Sequence, residues 1–180
     1  LESARRMADT KKTTLKKAFK DVMDQKKPLN WIIITAKTGE VTLFDSGTGL
    51  KSLLKAFSSS EMQWGLLGVL GIDDGNGVKS VRSKLVQIDW CGTAIRGADR
   101  GKMINQQKPL IQKFAGSIAC QVPASSQSDV TSRKIAYRLF HAQGAHKPTY
   151  YDFGDDKVQC STLTGTDDDI DDEDEDEDFA

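Results

Sequence analysis

The chain has 180 residues, 38% of them hydrophobic, which is enough for one domain with a buried core and short for two. No apolar run approaches the roughly 18 residues of a membrane span, and no signal peptide opens the chain. The net charge of −1 conceals a division, because residues 1–151 hold 24 Lys and Arg against 12 Asp and Glu, whereas residues 152–180 hold one Lys against 14 acidic residues.

The first half of the chain predicts two helices, a hairpin and a strand. Apolar residues at helical spacing predict a helix over 11–26, which Pro28 ends. The run WIIITAKTGEVTLFD predicts a β-hairpin with its turn near Gly39. A short helix over 50–57 and a buried strand in QWGLLGVLGI follow.

The second half predicts a central strand, a long helix, a further strand and a last helix. In VRSKLVQIDW, residues 81–90, the apolar side chains do not keep to one face, which indicates a strand covered on both sides. DRGKMINQQKPLIQKF predicts an amphipathic helix over 99–115 with a kink at Pro109. A strand at 117–122 and a helix at 129–143 follow. The predicted fold class is α/β (α+β type), with a central mixed β-sheet of about five to six strands flanked by helices on both faces.

Charge then divides the chain into three segments. Residues 1–8 are interpreted as an expression scar or a disordered start, and residues 9–151 as the folded domain. Residues 152–180 are predicted to be a disordered acidic tail, because they have little to bury and repel themselves. A basic domain suits an acidic partner such as a filament surface, nucleic acid or lipid headgroups.

Cations concentrate in three of the predicted elements. Arg82 and Lys84 open the central strand. Arg100 and Lys102 lie in the first turn of the long helix, where the helix dipole disfavours cations. The last helix carries like charges on its outer face, where a solvated face would mix signs. We interpret these positions as docking surfaces for an acidic protein.

The element order, RSKLVQIDW and DRGKMINQQKPLIQKF together resemble the actin-depolymerising-factor homology domain, and within it the coactosin branch most. The resemblance covers residues 11–143 and implies a gelsolin-like fold and a module that decorates filamentous actin, with monomeric actin as a further candidate. The sequence KMI, residues 102–104, is also similar to the cofilin branch, so a protein that severs or depolymerises filaments stays an alternative.

The resemblance implies roles for individual residues. Lys84 matches a lysine on which coactosins rely for filament binding. The start of the long helix matches the part that enters the cleft between two actin subdomains, and the last helix matches charges that cofilins direct at a second actin. The implied actin-binding residues are Lys79, Arg82, Lys84, Arg100, Lys102, Met103, Arg133, Lys134 and Arg138.

Other classes of function have less support. FDSGTG, residues 44–49, resembles the aspartic-protease motif, but that chemistry needs two carboxylates and the chain has no second copy. We interpret Asp45–Gly49 as a strand end that caps the next helix. The two histidines accompany no nucleophile motif, and DDGNG lacks the carboxylate pattern of a calcium loop. We therefore predict no catalysis, no cofactor and no metal site.

The remaining rival is a basic nucleic-acid-binding or histone-binding domain with an acidic tail. It is disfavoured because Trp31, Trp64 and Trp90 lie in apolar runs that indicate core positions rather than base-stacking platforms. Three cysteines without Cys-x-x-Cys spacing favour a reducing compartment. We expect a monomer in the cytoplasm at the actin cytoskeleton, without membrane binding, whose acidic tail competes for the docking cations.

Overall fold

A computed structural model describes residues 14–75, 77–142 and 147–164. Within these residues the chain forms seven strands, four α-helices and two single-turn 3-10 helices. The first helix, α1, covers residues 14–23. The other elements are β1 Trp31–Thr35, β2 Thr42–Gly47, α2 Leu50–Ala56, β3 Met62–Asp73, β4 Ser80–Cys91, α3 Gly97–Ala115, β5 Cys120–Ala124, α4 Ser132–Ala142, β6 Tyr150–Asp152 and β7 Lys157–Gln159, with 3-10 turns at Gln127–Asp129 and Cys160–Thr162.

The strands form one mixed sheet in the order β2-β1-β3-β4-β5, and β6 joins β3 and β7 at its side. The β4–β5 pair is parallel, whereas the other strand pairs are antiparallel. The predicted fold class is confirmed. The described residues hold more strands than the five to six expected, because β6 straddles the predicted boundary at residue 152 and β7 lies in the segment that was predicted to be disordered.

Helices cover both faces of the sheet. Trp31 and Ile33 of β1 contribute to a core with α2 and α4, whereas Ile32 and Ile34 contribute to a core with α1 and α3. This alternation is the ordinary pleat of a strand, and all five residues of β1 are buried because both faces are covered. β4 behaves in the same way from residue 85 onwards, as its sequence predicted.

The C-terminal segment after β6 is folded, and the predicted boundary at residue 152 is therefore wrong. Phe153 is 0% exposed, Val158 8% and Leu163 1%, and all three belong to the core on the α2 and α4 face. Residues 152–164 are part of the domain. The predicted segment 1–8 and residues 165–180 of the predicted tail lie outside the described residues.

The same segment supplies the cap of α2. The backbone amides of Leu50 and Lys51 each donate to the Asp155 carboxylate over 2.8 Å, which satisfies two of the free N–H groups at this helix start. Gly49, the last residue of the predicted Asp45–Gly49 segment, is the N-cap residue of α2 as predicted, but no side chain of that segment supplies a cap hydrogen bond. Asp45 instead accepts from the adjacent Ser46 amide at 2.8 Å. Gly49 has a φ of 89° and leaves the space that Asp155 occupies.

We expect Asp155→Ala to lower the free energy of unfolding by about 1–2 kcal/mol, because it removes both cap hydrogen bonds and a negative charge from the helix start. Thermal or urea unfolding measures this directly. Asp74→Ala is the matched control, since Asp74 is exposed in the β3–β4 loop, and it is expected to change stability little. Equal stability of the two variants would contradict the capping role.

The other observed helices and strands begin and end within a few residues of their predicted bounds. β5 runs from Cys120 to Ala124 rather than over 117–122, and it includes Pro123, which an edge strand tolerates. α3 continues through Pro109, whose side chain is exposed. Across the described residues, none of the helices combines the length and the apolar character that crossing a bilayer requires.

Candidate functional site

The first half of β4 forms an edge that carries cations. β5 pairs with Val86 to Trp90, so among the described strands residues 80–84 pair with β3 alone. Arg82 lies opposite Gly71, and Lys84 lies opposite Val69. Both alternate with Val86 and so point to the α2 and α4 face. Arg82 is exposed and Lys84 is half-buried, which places two positive charges along an otherwise open strand edge.

Arg138 of α4 adds a third cation beside this edge. Its guanidinium donates to the Gln121 carbonyl of β5 at 3.2 Å. Burial raises the pKa of the neighbouring Cys120 thiol, and the Arg138 charge opposes that rise. Cys120 lies opposite Val86 in the sheet, and Val86 is two residues from Lys84 on the same face of β4. We call Arg82, Lys84 and Arg138 the β4–α4 basic surface.

The start of α4 is tied to the C-terminal segment instead. Arg133 donates to the Thr162 carbonyl at 3.0 Å and to its hydroxyl at 3.4 Å. The pKa of Asp129 is lowered by hydrogen bonds from the backbone amides of Ser125 and Ser126, and less strongly by the Lys134 charge. Arg133 therefore has a structural role, and Lys134 contributes to local electrostatics, whereas Arg138 faces the strand edge.

The α3 surface, formed by Arg100, Lys102 and Met103, lies on the opposite face of the sheet. Lys102 is exposed, whereas Arg100 and Met103 are half-buried. Met103 packs against the core between α3 and the sheet, so part of its side chain serves the fold. The structure thus brings two of the three predicted groups of cations onto one face and keeps the third apart.

The tip of the β3–β4 hairpin carries the remaining predicted cation. Lys79 is exposed, and the adjacent Val78 is 73% exposed. Sequence reasoning missed Lys147, whose ammonium group donates to the Phe140 carbonyl at the end of α4. Its neighbour Pro148 lies against Gly71, the residue opposite Arg82. The pairing of β6 with β3 brings Lys147 and Pro148 near Arg82, and no local sequence pattern predicts this contact.

The side chains that could ligate a metal are dispersed over the described residues. Residues 14–75, 77–142 and 147–164 contain no group of three or more His, Cys, Asp or Glu side chains that could hold an ion. Burial raises the pKa of the Cys160 thiol to about 11, which keeps it protonated and unreactive at neutral pH. The chemistry that the surface offers is charge complementarity.

A family model described as cofilin/tropomyosin-type actin-binding protein matches residues 7–139. Drebrin-like protein B of Xenopus laevis is 26% identical over 135 residues, which are 73% of this chain and 34% of that protein. Coactosin of Dictyostelium discoideum is 25% identical over 142 residues, 77% of this chain and 94% of that protein. The chain thus spans about a third of the drebrin-like relative and nearly all of the coactosin.

Solved structures give the same picture of the fold. Human coactosin-like protein superposes with a TM-score of 0.60 at 19% identity, over 73% of this chain and 87% of that chain. Coactosin from Entamoeba histolytica gives a TM-score of 0.57 at 18% identity, over 69% of this chain and 90% of that chain. At such identities the likeness concerns the fold, and it agrees with the fold class that the sequence predicted.

Proposed function

The chain belongs to the cofilin/tropomyosin-type actin-binding family, and from this premise we propose that it decorates filamentous actin in the manner of a coactosin, without catalysis. The observation that carries the proposal is the β4–α4 basic surface, where three cations from two elements share one face. We further propose that it acts as a monomer at the cytoplasmic actin cytoskeleton.

The β4–α4 basic surface suits an acidic protein partner. Each exposed ion pair contributes only about 0–1 kcal/mol and is screened by salt over about 8 Å at physiological ionic strength. Several pairs together steer the encounter and set its register. Binding that rests on them weakens as salt rises.

The α3 surface supports a filament over a monomer as the partner. It lies across the sheet from the β4–α4 basic surface, so one flat partner could not cover both. A filament presents neighbouring subunits, and each surface can meet a different one. Lys102 supplies exposed charge here, and the half-buried Met103 supplies apolar contact.

Nucleic-acid binding, the rival function, loses support from the positions of the aromatic residues. Trp31, Trp64 and Trp90 are 3%, 1% and 5% exposed, so none of these three rings is available for stacking on bases. The basic surfaces alone would give only salt-dependent, non-specific attraction to phosphates.

High-speed co-sedimentation with filamentous actin tests the proposal. The protein is expected in the pellet with actin. The amount in the pellet is expected to fall steeply between about 50 and about 300 mM salt, because the Debye length shortens and screening increases. Actin that moves to the supernatant would favour the cofilin-like alternative of severing or depolymerisation. Protein that stays in the supernatant at low salt would contradict actin binding.

The acidic residues beyond 164 form a second arm of this experiment. We propose that they compete with actin for the cations of the β4–α4 basic surface. A chain that ends after Thr164 keeps every described residue and is expected to bind filaments more tightly than the intact chain, with the difference disappearing at high salt. Equal affinity at low salt would contradict this competition.

A further inference from the structure

A cavity of about 300 Å³ lies between α3 and the ends of β3, β4 and β5. α3 contributes Arg100, Ile104 and Lys108, which are four residues apart and so form one stripe of the helix. Met62 and Trp64 line the cavity from β3. The volume is at the lower end of the range for small-molecule sites, and the lining combines apolar side chains with a few charged ones, as such sites do.

Two of the three charged side chains that line the cavity have polar partners, whereas one N–H group of the third has none among the described residues. Asp89 accepts from the Gln87 side-chain amide at 2.6 Å, and the Lys108 ammonium lies 3.7 Å from its other carboxylate oxygen. The Nε group of Arg100 is buried and, among the described residues, has no hydrogen-bond partner. An unpaired N–H on a cation is costly to bury, and an anion beside it would remove that cost.

The apolar part of the cavity defines the rest of the ligand. Met62 is 3% exposed and Trp64 1%, while Ile104 is half-buried on the facing helix. We propose that the cavity binds a small organic carboxylate with an aromatic body. Its carboxylate accepts hydrogen bonds from Arg100, and its ring lies against the accessible side chains of Ile104 and Pro123, while the buried Met62 and Trp64 form the floor of the cavity. Arg100 also belongs to the α3 surface, so the ligand is titrated in the absence of actin, where the result does not depend on filament binding.

Calorimetric titration with 2-naphthoate, without actin, tests the site. Arg100→Gln is expected to weaken binding at least about tenfold, because it removes a charge-assisted hydrogen bond. Lys113→Gln is the matched control, since it removes an exposed cation from the same helix outside the cavity, and it is expected to leave binding unchanged. The uncharged 2-naphthamide is expected to bind at least about tenfold more weakly than 2-naphthoate.

A second variant tests the apolar half with the charge intact. Ile104→Trp is expected to fill the cavity and abolish binding, while NMR spectra of the unsubstituted protein are expected to show the Ile104 methyl signals moving on titration. Inorganic phosphate is the probe for charge alone and is expected to bind at least about tenfold more weakly. Equal affinity of Arg100→Gln and the unsubstituted chain, or unmoved Ile104 methyl signals at saturation, would overturn the proposal.

Discussion

A chain that ends after Tyr151 is expected to lose its cooperative unfolding transition, whereas a chain that ends after Thr164 is expected to melt as the intact protein does. The shorter form loses Phe153, Val158 and Leu163, which are 0%, 8% and 1% exposed. Burying each such side chain contributes about 1.5–3 kcal/mol. Their sum is comparable to the whole free energy of unfolding of an ordinary domain, about 5–15 kcal/mol.

Hydrogen bonds lost with the segment add to this cost. The Phe153 carbonyl accepts from the Asn30 side-chain amide at 2.7 Å, and the other end of that side chain accepts from the Gly49 amide at 2.8 Å. Asp155 leaves the start of α2 uncapped when it is removed. Circular dichroism and thermal melts of the two truncated chains measure the difference. A cooperative melt of the shorter chain within a few degrees of the intact protein would contradict this account.

Net charge misplaced this boundary because the three acidic residues within 152–164, which are Asp152, Asp155 and Asp156, all have folded partners. Asp152 accepts from the Gly154 amide at 2.8 Å and lies 3.7 Å from the Lys157 ammonium. Asp156 accepts from the Lys157 amide at 2.8 Å and from the Ser132 hydroxyl. Composition cannot distinguish a carboxylate that repels its neighbours from one that caps a turn, since the partners lie up to 105 positions away in sequence.

The elements that the sequence predicted well are those with a strong local period or a long apolar run. β1 and β3 are nearly continuous apolar runs that the sheet buries on both faces. β6 and β7 have three residues each and exist only because β3 and the core receive them, so no local signal marks them. β5 was predicted at 117–122 and lies at Cys120–Ala124, where it includes Pro123, which its edge position accommodates.

The sequence predicted which residues belong to the candidate site, but it did not predict which face of the sheet each of them lies on. Basic residues are visible in the sequence, whereas their division between the two faces of the sheet depends on strand register and helix placement. Arg133 illustrates the limit: it was predicted on the same helix and with the same role as Arg138, yet its guanidinium donates to the Thr162 carbonyl. We therefore expect charge reversal at Arg133 to lower stability, so that such a variant would not measure binding alone.

Lys84→Glu is expected to weaken filament binding by at least about tenfold without lowering stability. The Lys84 ammonium group forms no hydrogen bond or ion pair with the residues that the structure describes, so its replacement breaks no polar side-chain contact. The new carboxylate would face the acidic partner beside Arg82 and Arg138 and replace attraction with repulsion, and such like-charge contact costs several kcal/mol. A tenfold change needs only about 1.4 kcal/mol.

Two matched variants separate charge at this position from charge in general. Lys84→Arg keeps the charge and is expected to bind within about twofold of the unsubstituted chain. Lys55→Glu makes the same reversal on α2, which packs on β1 and β2 near the other edge of the sheet, and is expected to leave binding unchanged. Affinities from co-sedimentation across salt concentrations decide the case, because Lys84→Glu should also flatten the salt dependence. If Lys55→Glu weakened binding as much as Lys84→Glu, overall charge rather than the β4–α4 basic surface would govern the interaction.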